Sequence, residues 1–395
     1  MVRATSVFSQ VLNQVPRSLF EEIVGKHRGD YRAKGFRCWD QLVCMLFAQL
    51  AQAKSLREIT IGLQSCAGKL QHLGVFCYPK RSTLAYANEH RPSEIYEELF
   101  HRLASKLRVS NLRGPDRKPF RFRGKLYSLD STLIELSVSM FDWAKYVKTK
   151  GAVKIHLMLD HDGCLPKFAV VTDGRVHDVR VAQNLSFAPG TVVAVDKGYV
   201  DYELYSRWTE EQVSFVTRPK KNMRYRVLEE REVPGGNIVS DQIIELASSY
   251  AAERCTVPLR LVQAVDPKTG EFRECLTNNL KLSPRTIVGV YRERWRIETF
   301  FRTLKQNLRV KTFVGTSANA VQIQIWTALI AMLLLKYLKH LSTWNWSLSN
   351  LIALLRWNLF GYRDLWEWLN NPGVPPPDTP LSQPYLSGLG LQGGT

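Results

Sequence analysis

Hydrophobic and polar positions separate most clearly between Tyr291 and Lys305, a stretch without glycine or proline. At about 100° per residue, four polar side chains share an arc of about 60° on a helical wheel: Tyr291, Arg294, Glu298 and Lys305. Apolar side chains fill the neighbouring arc: Ile297, Phe300, Phe301, Leu304 and Leu308. Ser283-Pro-Arg is typical of a helix cap and first turn. The pattern predicts one helix that places an acid and cations beside the core. A solvated helix face with ion pairs at helical spacing would give the same sequence pattern.

The first 110 residues are predicted to be helical. Helix-spaced apolar positions run through Phe8 to Phe20, Trp39 to Leu50, Ser55 to Gln64 and Ser93 to Leu107. Ser55 followed by Glu58 resembles a capping box, and a glycine-containing turn leads from that helix to another that begins at Arg81. The arrangement is compatible with a helix-turn-helix that carries Lys80, Arg81, Ser82 and Thr83 toward DNA. Packing or dimerisation is the alternative, since many helical bundles share this pattern.

A mixed α/β unit is predicted after a basic, Gly- and Pro-containing linker at 111–125. The predicted strands are Lys125 to Leu129, Val153 to Leu159, Leu165 to Thr172, Thr191 to Val195 and Val213 to Thr217, with helices at Asp178 to Asn184 and Asp201 to Glu211. The second and third strands pair as a hairpin across Asp160-His-Asp-Gly. Thr191 to Val195 is nearly all apolar, as a strand buried on both faces would be.

The chain therefore divides into six predicted segments. They are a helical N-terminal domain at 1–110, the first part of the α/β core at 111–217, a β-rich insertion at 218–283, the helix of the opening pattern and the end of the core at 284–345, C-terminal helices at 346–370, and a disordered tail rich in Pro, Gly and Ser at 371–395. The insertion contains short β-like pieces at Arg224 to Leu228, Leu259 to Ala264 and Phe272 to Thr277. Helices are expected at Ala318 to His340 and Ser349 to Asn358.

Charge narrows the class of partner. The chain of 395 residues carries 54 Lys and Arg against 36 Asp and Glu, a formal net charge of +18, which favours nucleic acid. A membrane surface is less favoured because the basic residues are dispersed, and the apolar run Ile325 to Leu335 is too short to span a bilayer. The first residues do not resemble a signal peptide, and seven scattered cysteines are typical of reduced thiols. We therefore expect a cytoplasmic protein without a membrane partner, associated with the nucleoid through DNA.

Three carboxylates are candidates for one active site. Asp130 and Asp196 each end a predicted strand, and adjacent parallel strands would bring both to the same sheet edge, under the helix that carries Glu298. Carboxylates that meet uncompensated repel one another, and divalent ions with a preference for hard oxygen ligands, Mg²⁺ or Mn²⁺, relieve the repulsion. Two such ions suit in-line phosphoryl transfer on a nucleic acid backbone. Either aspartate alone would more often be a helix cap or turn residue.

These residues carry a resemblance to a known family. Asp130, Asp196-x-Gly-Tyr199 and Tyr291-x2-Arg294-x3-Glu298-x6-Lys305 resemble the catalytic motifs of bacterial insertion-sequence DDE transposases of the insertion-sequence-four family, which carry a Tyr-Arg-Glu-Lys signature. The basic helical N-terminus, including Gly35-Phe-Arg-Cys-Trp-Asp40, resembles a small domain that precedes the core in some members. The resemblance extends over most of residues 10–345.

The resemblance implies a ribonuclease-H-like mixed sheet with a β insertion, after a small helical DNA-binding domain. It implies that Asp130, Asp196 and Glu298 are catalytic and hold two Mg²⁺ ions, with Mn²⁺ as a substitute. The expected DNA contacts are Tyr291, Arg294, Trp295 and Lys305. The expected partners are double-stranded DNA, as terminal inverted repeats and target, and a second copy of the chain in a synaptic homodimer. The implied cut-and-paste route nicks one strand with water, forms and reopens a hairpin, and joins the 3′ hydroxyl to target DNA.

The insertion differs from the family pattern at one point. Members can stack a flipped base on a tryptophan in the insertion, but residues 218–290 contain none, and Tyr225, Tyr250 or Phe272 would have to substitute. Lys220 and Arg224 mix with aromatic residues and are further candidate DNA contacts. A metal phosphohydrolase built on His161-Asp162 and His177-Asp178 is disfavoured because the first pair lies in a hairpin turn. A structure-specific nuclease and a non-cleaving DNA-binding protein stay open.

Overall fold

The computed structural model describes residues 5–66, 68–107, 120–136, 143, 145–147, 150–233, 235–308, 310 and 312–373. The linker at 111–119 and most of the tail at 371–395 lie outside these residues. Six helices form the N-terminal part: α1 Val7–Leu12, α2 Arg17–Lys26, α3 Cys38–Ala51, α4 Leu56–Ser65, α5 Arg81–His90 and α6 Glu94–Lys106. The predicted run from Phe8 to Phe20 is wrong as one helix, because Pro16, which cannot donate a backbone hydrogen bond, divides it into α1 and α2.

The predicted pair of helices at α4 and α5 is present. The Ser55 hydroxyl caps α4 by accepting from the backbone N–H of Glu58 at 3.1 Å. The Glu58 carboxylate accepts from the N–H of Lys54 rather than from that of Ser55, so only half of the capping box forms. α5 begins at Arg81, and α4 and α5 are in contact. Whether this pair binds DNA stays a prediction.

Ten strands of the described residues form one mixed sheet. They are β1 Leu126–Leu136, β2 Lys145–Val147, β3 Lys150–Asp160, β4 Leu165–Asp173, β5 Val192–Val195, β6 Ser214–Thr217, β7 Tyr225–Glu230, β8 Ile238–Leu246, β9 Leu259–Val265 and β10 Phe272–Thr277. Their order is β2-β3-β1-β5-β6-β10-β9-β8-β7, and β4 also pairs with β3. β1, β5 and β6 run parallel to one another, and the remaining pairs are antiparallel. Helices α7 Asp178–Gln183 and α8 Tyr202–Glu210 follow β4 and β5.

One expectation about the sheet is wrong, and two elements of the insertion were not predicted. β1 does not stop at Asp130 but continues to Leu136, because its outer half pairs with β3 after its pairing with β5 ends at Leu129 and Val195. The β-rich insertion contains a strand and a helix that were not predicted, β8 and α9 Ser249–Arg254. The insertion also extends the core sheet, since β10 pairs directly with β6.

The helix predicted from Ser283 to Lys305 is divided in two. α10 Pro284–Glu293 begins at the predicted cap Ser283, and α11 Trp295–Asn307 follows after a single intervening residue, Arg294. At the junction the N–H of Arg294 bonds the carbonyl of Tyr291, and the N–H of Ile297 bonds that of Arg294, so both bonds span three residues instead of four. The tighter turn lets α10 and α11 bury their apolar faces in two different core clusters.

The longest helix joins the N-terminal helices to the core. α12 Ala318–Leu341 contacts α3, α5, α6 and β4, and is followed by α13 Leu348–Asn358 and α14 Leu365–Asn370. By length and hydropathy α12 could cross a membrane, but 83% of its most apolar window is buried inside the protein. This agrees with the buried helix predicted around Ile325 to Leu335. Trp326 of α12 packs on Phe100 and His101 of α6, with ring centroids 5.6 and 5.8 Å apart.

Candidate active site

The first two candidate acids meet where the parallel pairing of β1 and β5 ends. The last pair of residues in register between β1 and β5 is Leu129 and Val195, so Asp130 and Asp196 follow side by side at that edge. β1 and β5 are adjacent and parallel, as expected, and the two aspartates lie side by side where this pairing ends, but Asp130 stays within β1, opposite Leu157 of β3. Arg218 follows the end of β6 at the same edge, where the pattern of strand ends could have identified it.

Arg294 links the third candidate acid to this edge. Its Nη1 lies 3.2 Å from Oδ2 of Asp130, and its Nη2 lies 2.5 Å from Oε1 of Glu298. The arginine is 8% exposed and occupies the junction between α10 and α11. The short turn at that junction thus puts a cation between a strand carboxylate and a helix carboxylate. A buried ion pair of this kind depends on both partners, because removal of one leaves an uncompensated charge.

The charge of Asp130 is disfavoured in this setting. Burial raises the pKa of its carboxyl from 3.8 to about 6, and the carboxylates of Asp196 and Glu298 also raise it. The backbone N–H of Ser131, which donates to Asp130 at 2.8 Å, and the guanidinium of Arg294 act in the opposite direction. The acids are therefore close enough to repel one another, as expected for carboxylates that share one site.

The polar and apolar faces of the divided helix agree with the sequence pattern. The stripe predicted to face the core is buried throughout: Ile297, Phe300, Phe301, Leu304 and Leu308. On the polar face, the ring of Tyr291 lies between two guanidiniums, with Arg218 at 5.4 Å and Arg294 at 5.5 Å from its centroid. The Lys305 ammonium donates to the backbone carbonyl of Leu133 in β1 at 2.7 Å. Lys305 therefore also fastens α11 to the strand that carries Asp130.

The other candidate DNA contacts lie at the surface. Trp295 is 56% exposed, beside the buried Arg294 in the chain. Lys220 and Arg224 are exposed on the segment that leads from β6 into the insertion. All three aromatic residues considered for base stacking are partly exposed: Tyr225 at 37%, Tyr250 at 63% and Phe272 at 51%. The guanidinium of Arg254 covers the ring of Tyr250 at 4.0 Å from its centroid.

A fourth carboxylate, Asp178 at the start of α7, lies next to this edge. It accepts from the Ser131 hydroxyl at 2.8 Å and from the Lys154 ammonium at 3.2 Å. Burial raises the pKa of the Tyr199 hydroxyl, and the carboxylates of Asp178, Asp130 and Asp196 raise it further. Asp178 is thus coupled to the aspartates through Ser131 and Tyr199, which lie near them in the chain.

Two histidines, His156 and His161, are buried. His156 lies in β3, where burial lowers its pKa to about 4. His161 is buried against the Ser128 hydroxyl at 2.7 Å, and burial lowers its pKa to about 3. Within the part of the chain that the structure describes, no three His, Cys, Asp or Glu side chains are grouped so that they could hold a metal ion as they stand.

Comparison with known families identifies the chain over most of its length. The family described as transposase DDE domain matches residues 121–334, and a family described as a domain of unknown function, DUF4372, matches residues 3–76. The first match includes all three candidate acids. The second ends within the N-terminal helices and assigns no activity to them.

Individual relatives are similar over about three quarters of the chain. A protein of Sinorhizobium fredii named as a transposase is 32% identical over 304 residues, which cover 75% of this chain and 82% of the relative. A protein of Geobacillus stearothermophilus named as the transposase for an insertion sequence element is 30% identical over 296 residues, 74% of each chain. Among solved structures, the piggyBac transposase synaptic complex with hairpin DNA has a TM-score of 0.43 and 12% identity, covering 90% of this chain and 78% of that chain.

Proposed function

The chain belongs to the family of DDE transposases, enzymes that cleave and transfer DNA strands, and we propose that it moves an insertion sequence by cut-and-paste transposition. In that reaction the oxygen of water attacks a phosphodiester at the end of the element and releases a 3′ hydroxyl. That hydroxyl then attacks a phosphodiester of target DNA, so that one P–O bond forms as another breaks. The observation that carries the proposal is the guanidinium of Arg294 between Asp130 and Glu298, with Asp196 beside Asp130.

The catalytic core of this proposal is ribonuclease-H-like. Its support is the sheet itself, in which three parallel strands, β1, β5 and β6, are flanked by the antiparallel pair β3 and β4 on the β1 side. Asp130 lies in β1 directly after its pairing with β5 ends, Asp196 follows β5, and Glu298 comes from a helix that contacts β1. The insertion-sequence-four family, with its Tyr-Arg-Glu-Lys signature, is the finer assignment that Tyr291, Arg294, Glu298 and Lys305 support.

The donor set fits divalent metal ions, which membership of the family implies. Asp130, Asp196 and Glu298 offer only carboxylate oxygens, the ligands preferred by Mg²⁺ and by Mn²⁺ as its substitute. The raised pKa of Asp130 and the guanidinium held between two of the acids both indicate a site that favours added positive charge. We propose that these three residues hold two Mg²⁺ ions. When bound, the ions would activate the attacking oxygen and stabilise the leaving one.

The cations near the site are proposed to hold DNA. Arg294, Tyr291 and Lys305 would bind phosphates near the cleaved bond, and exposed Trp295 would contact the DNA end. Lys220 and Arg224 lie exposed on the segment that follows Arg218, whose guanidinium contacts Tyr291. If a hairpin forms, an exposed aromatic side chain of the insertion would stack the flipped base.

The partners that follow from the proposal are two DNA ends, a target duplex and a second copy of the chain. The net charge of +18 suits binding to several duplex segments. The α4–α5 pair, with exposed Lys80 and Arg81 at the start of α5, would read the inverted repeats. A nuclease without strand transfer would share the acids, and it would be recognised by products that are never joined to target DNA.

Strand cleavage tests the function. A supercoiled plasmid carrying the flanking inverted repeats is incubated with the protein in Mg²⁺ or in EDTA, and released ends and joined products are resolved on gels. Wild-type protein should release the segment only with Mg²⁺. Asp130→Asn, Asp196→Asn and Glu298→Gln should each lower cleavage by more than ~10³-fold, while affinity for the repeat DNA stays within about 3-fold.

The matched control is Asp201→Asn, which removes one carboxylate from the N-cap of α8 instead of the site. It should cleave normally after correction for folded protein. Substantial cleavage by any of the three acid variants would show that the substituted acid is not catalytic. DNA binding without cleavage by the wild type, in Mg²⁺ and Mn²⁺ alike, would favour a non-cleaving DNA-binding protein.

A further inference from the structure

Asp178, a carboxylate that the proposed reaction does not use, lies next to the segments that carry both aspartates of the site. Successive side chains of a strand point to opposite faces, so Ser131 faces away from Asp130 and from the guanidinium of Arg294 that Asp130 contacts. On that other face the Ser131 hydroxyl donates to Oδ1 of Asp178 at 2.8 Å, and α7 contacts β1. The strand that carries Asp130 is therefore held from both of its faces.

Ser131 connects Asp178 to the carboxylate of Asp130. The backbone N–H of Ser131 donates to Oδ1 of Asp130 at 2.8 Å, and its hydroxyl donates to Oδ1 of Asp178 at the same distance. A hydrogen bond to a charged acceptor is about twice as strong as one between neutral groups. The bond to Asp178 thus restrains the residue whose N–H orients the Asp130 carboxylate.

The second carboxylate oxygen of Asp178 faces the segment after Asp196. α7 contacts the short helix Lys197–Tyr199, which follows Asp196 directly. Within that helix, a Cβ on Gly198 would lie 3.7 Å from Oδ2 of Asp178, an ordinary van der Waals distance. The two oxygens of Asp178 are therefore placed against the segments that follow Asp130 and Asp196.

Two side chains of β3 hold Asp178 in this position. The Lys154 ammonium donates to Oδ1 of Asp178 at 3.2 Å and to the backbone carbonyl of Val176 at 2.8 Å. His156 pairs with Ser131 in the register of β1 and β3, and its Nδ1 lies 3.5 Å from the same oxygen of Asp178. Contacts on several sides reduce the rotamer freedom of the carboxylate.

Helix and ion-pair stability explain only part of this arrangement. Asp178 lies in the first turn of α7, where an acid is favoured by the helix dipole, and its bond to Lys154 is an ion pair. Neither effect requires a hydroxyl from the residue that follows Asp130. Nor does either require contact with the segment that follows Asp196. The position of Asp178 against both segments indicates a role in the site.

We propose that Asp178 is a positioning residue, which holds Asp130 through Ser131 and supports the turn after Asp196 so that both aspartates can bind the divalent metal ions. The inference rests on the proposed function, in which these aspartates are metal ligands. Groups that orient metal ligands matter nearly as much as the ligands, and their loss costs about 10–100-fold in metal affinity or activity. Asp178 itself does not contact a reacting atom in this proposal.

Two measurements on the full chain test the proposal. Single-turnover cleavage at saturating repeat DNA should slow by about 10–100-fold in Asp178→Ala and in Ser131→Ala, while affinity for the DNA stays within about 3-fold. Ser131→Thr keeps a hydroxyl and should restore the rate. The double variant should be no slower than Asp178→Ala alone, because both residues act through one bond. Mn²⁺ binding to protein on already cleaved repeat ends, counted by electron paramagnetic resonance, should weaken by about 10–100-fold in the same two alanine variants.

The matched control is Asp173→Asn, which removes the charge of an aspartate at the end of β4 whose side chain is 42% exposed. It should cleave and bind Mn²⁺ like the wild type. Wild-type Mn²⁺ affinity in Asp178→Ala would overturn the proposal, whatever its cleavage rate. Restored cleavage in the double variant Lys154→Gln, Asp178→Ala would also overturn it, since Asp178 would then only balance the charge of Lys154. Failure of the proposed function would instead be a wild-type protein that neither cleaves DNA nor binds Mn²⁺.

Discussion

At the scale of single residues, Arg294 connects the candidate site. Its guanidinium bonds Asp130 from β1 and Glu298 from α11, and it lies beside the ring of Tyr291. These contacts partly compensate the repulsion among the carboxylates, although burial still raises the pKa of Asp130 to about 6. Asp178 adds a further polar network through Ser131, the neighbour of Asp130. The proposed role of Asp130 as a metal ligand therefore requires a charged carboxylate, whereas burial of this side chain favours the neutral acid.

In the metal-free protein, the stability of Asp130→Asn relative to the wild type should rise as the pH rises to neutrality. Between its unfolded pKa of 3.8 and its folded pKa of about 6, the folded protein retains a proton on Asp130 that the unfolded chain has lost. The free energy of unfolding therefore falls as pH rises through this window, by at most about 3 kcal/mol for a shift of about 2 units. The asparagine variant lacks this contribution.

Urea unfolding of both proteins in EDTA, from pH ~4 to ~7, measures the effect as a difference. Other groups, such as the buried His156 and His161, titrate in both proteins and cancel. The variant should gain stability over wild type as the pH rises. A difference that is constant with pH would contradict the raised pKa of Asp130.

At the scale of elements, the start of β1 determines how the aspartates meet. Before β1, Gly124 lies against the backbone that precedes β5: a Cβ on Gly124 would come 1.7 Å from the carbonyl oxygen of Gly190. The N–H of Val192 bonds the carbonyl of Lys125 at 2.8 Å and begins the parallel pairing. The close contact at Gly124 thus lies just before the paired residues of β1 and β5, whose register places Asp130 beside Asp196.

Gly124→Ala should destabilise the protein by about 1–3 kcal/mol or more and lower cleavage, because backbone atoms must shift to admit the methyl group. Gly25→Ala is the matched control. A Cβ there meets nothing within 4 Å, and alanine is favoured over glycine in a helix by about 0.5–1 kcal/mol. The test compares the thermal unfolding and the cleavage rates of the two variants with those of the wild type. A Gly124→Ala protein as stable as the wild type would show that β1 and β5 can separate without cost.

At the scale of the whole molecule, the N-terminal helices and the long C-terminal helix share one core. The largest cluster of buried side chains includes residues of α1 to α6 together with residues of β3, β4, α11 and α12. In addition to the packing of Trp326 on α6, the side chain of Gln49 in α3 donates to the backbone carbonyl of Gln324 in α12 at 3.3 Å. The N-terminal part predicted as a domain at 1–110 is therefore packed into the body of the protein, whichever DNA it contacts.

Trp326→Ala should cost about 3–5 kcal/mol, because it removes a buried indole between α12 and α6. Since the core is shared, hydrogen exchange should quicken in α3, α5 and α6 as much as in α12. Trp357→Ala is the control: the same residue type on α13 is 78% exposed, and its loss should change stability by no more than about 0.5 kcal/mol. N-terminal helices that keep their protection in Trp326→Ala would indicate an independently stable domain.

Local patterns in the sequence determined the elements and the candidate acids. Apolar periodicity identified α3, α4, α6, α12 and the buried strand β5, since these depend on which face of a short segment is buried. Ser283 and Pro284 identified the start of α10 because caps are local. The two aspartates and the spacing from Tyr291 to Lys305 indicated a DDE transposase, and the comparisons confirm this broader family.

Contacts between distant residues decided the rest. The length of β1 depends on its second partner β3, and the division of the catalytic helix at Arg294 depends on two separate core clusters. The bond from Arg294 to Asp130, 164 residues apart, could not be read from spacing along the chain. Only the tertiary structure specifies such arrangements. They are stabilised by packing and by charge interactions between segments that are distant in the sequence, and local propensity does not describe these interactions.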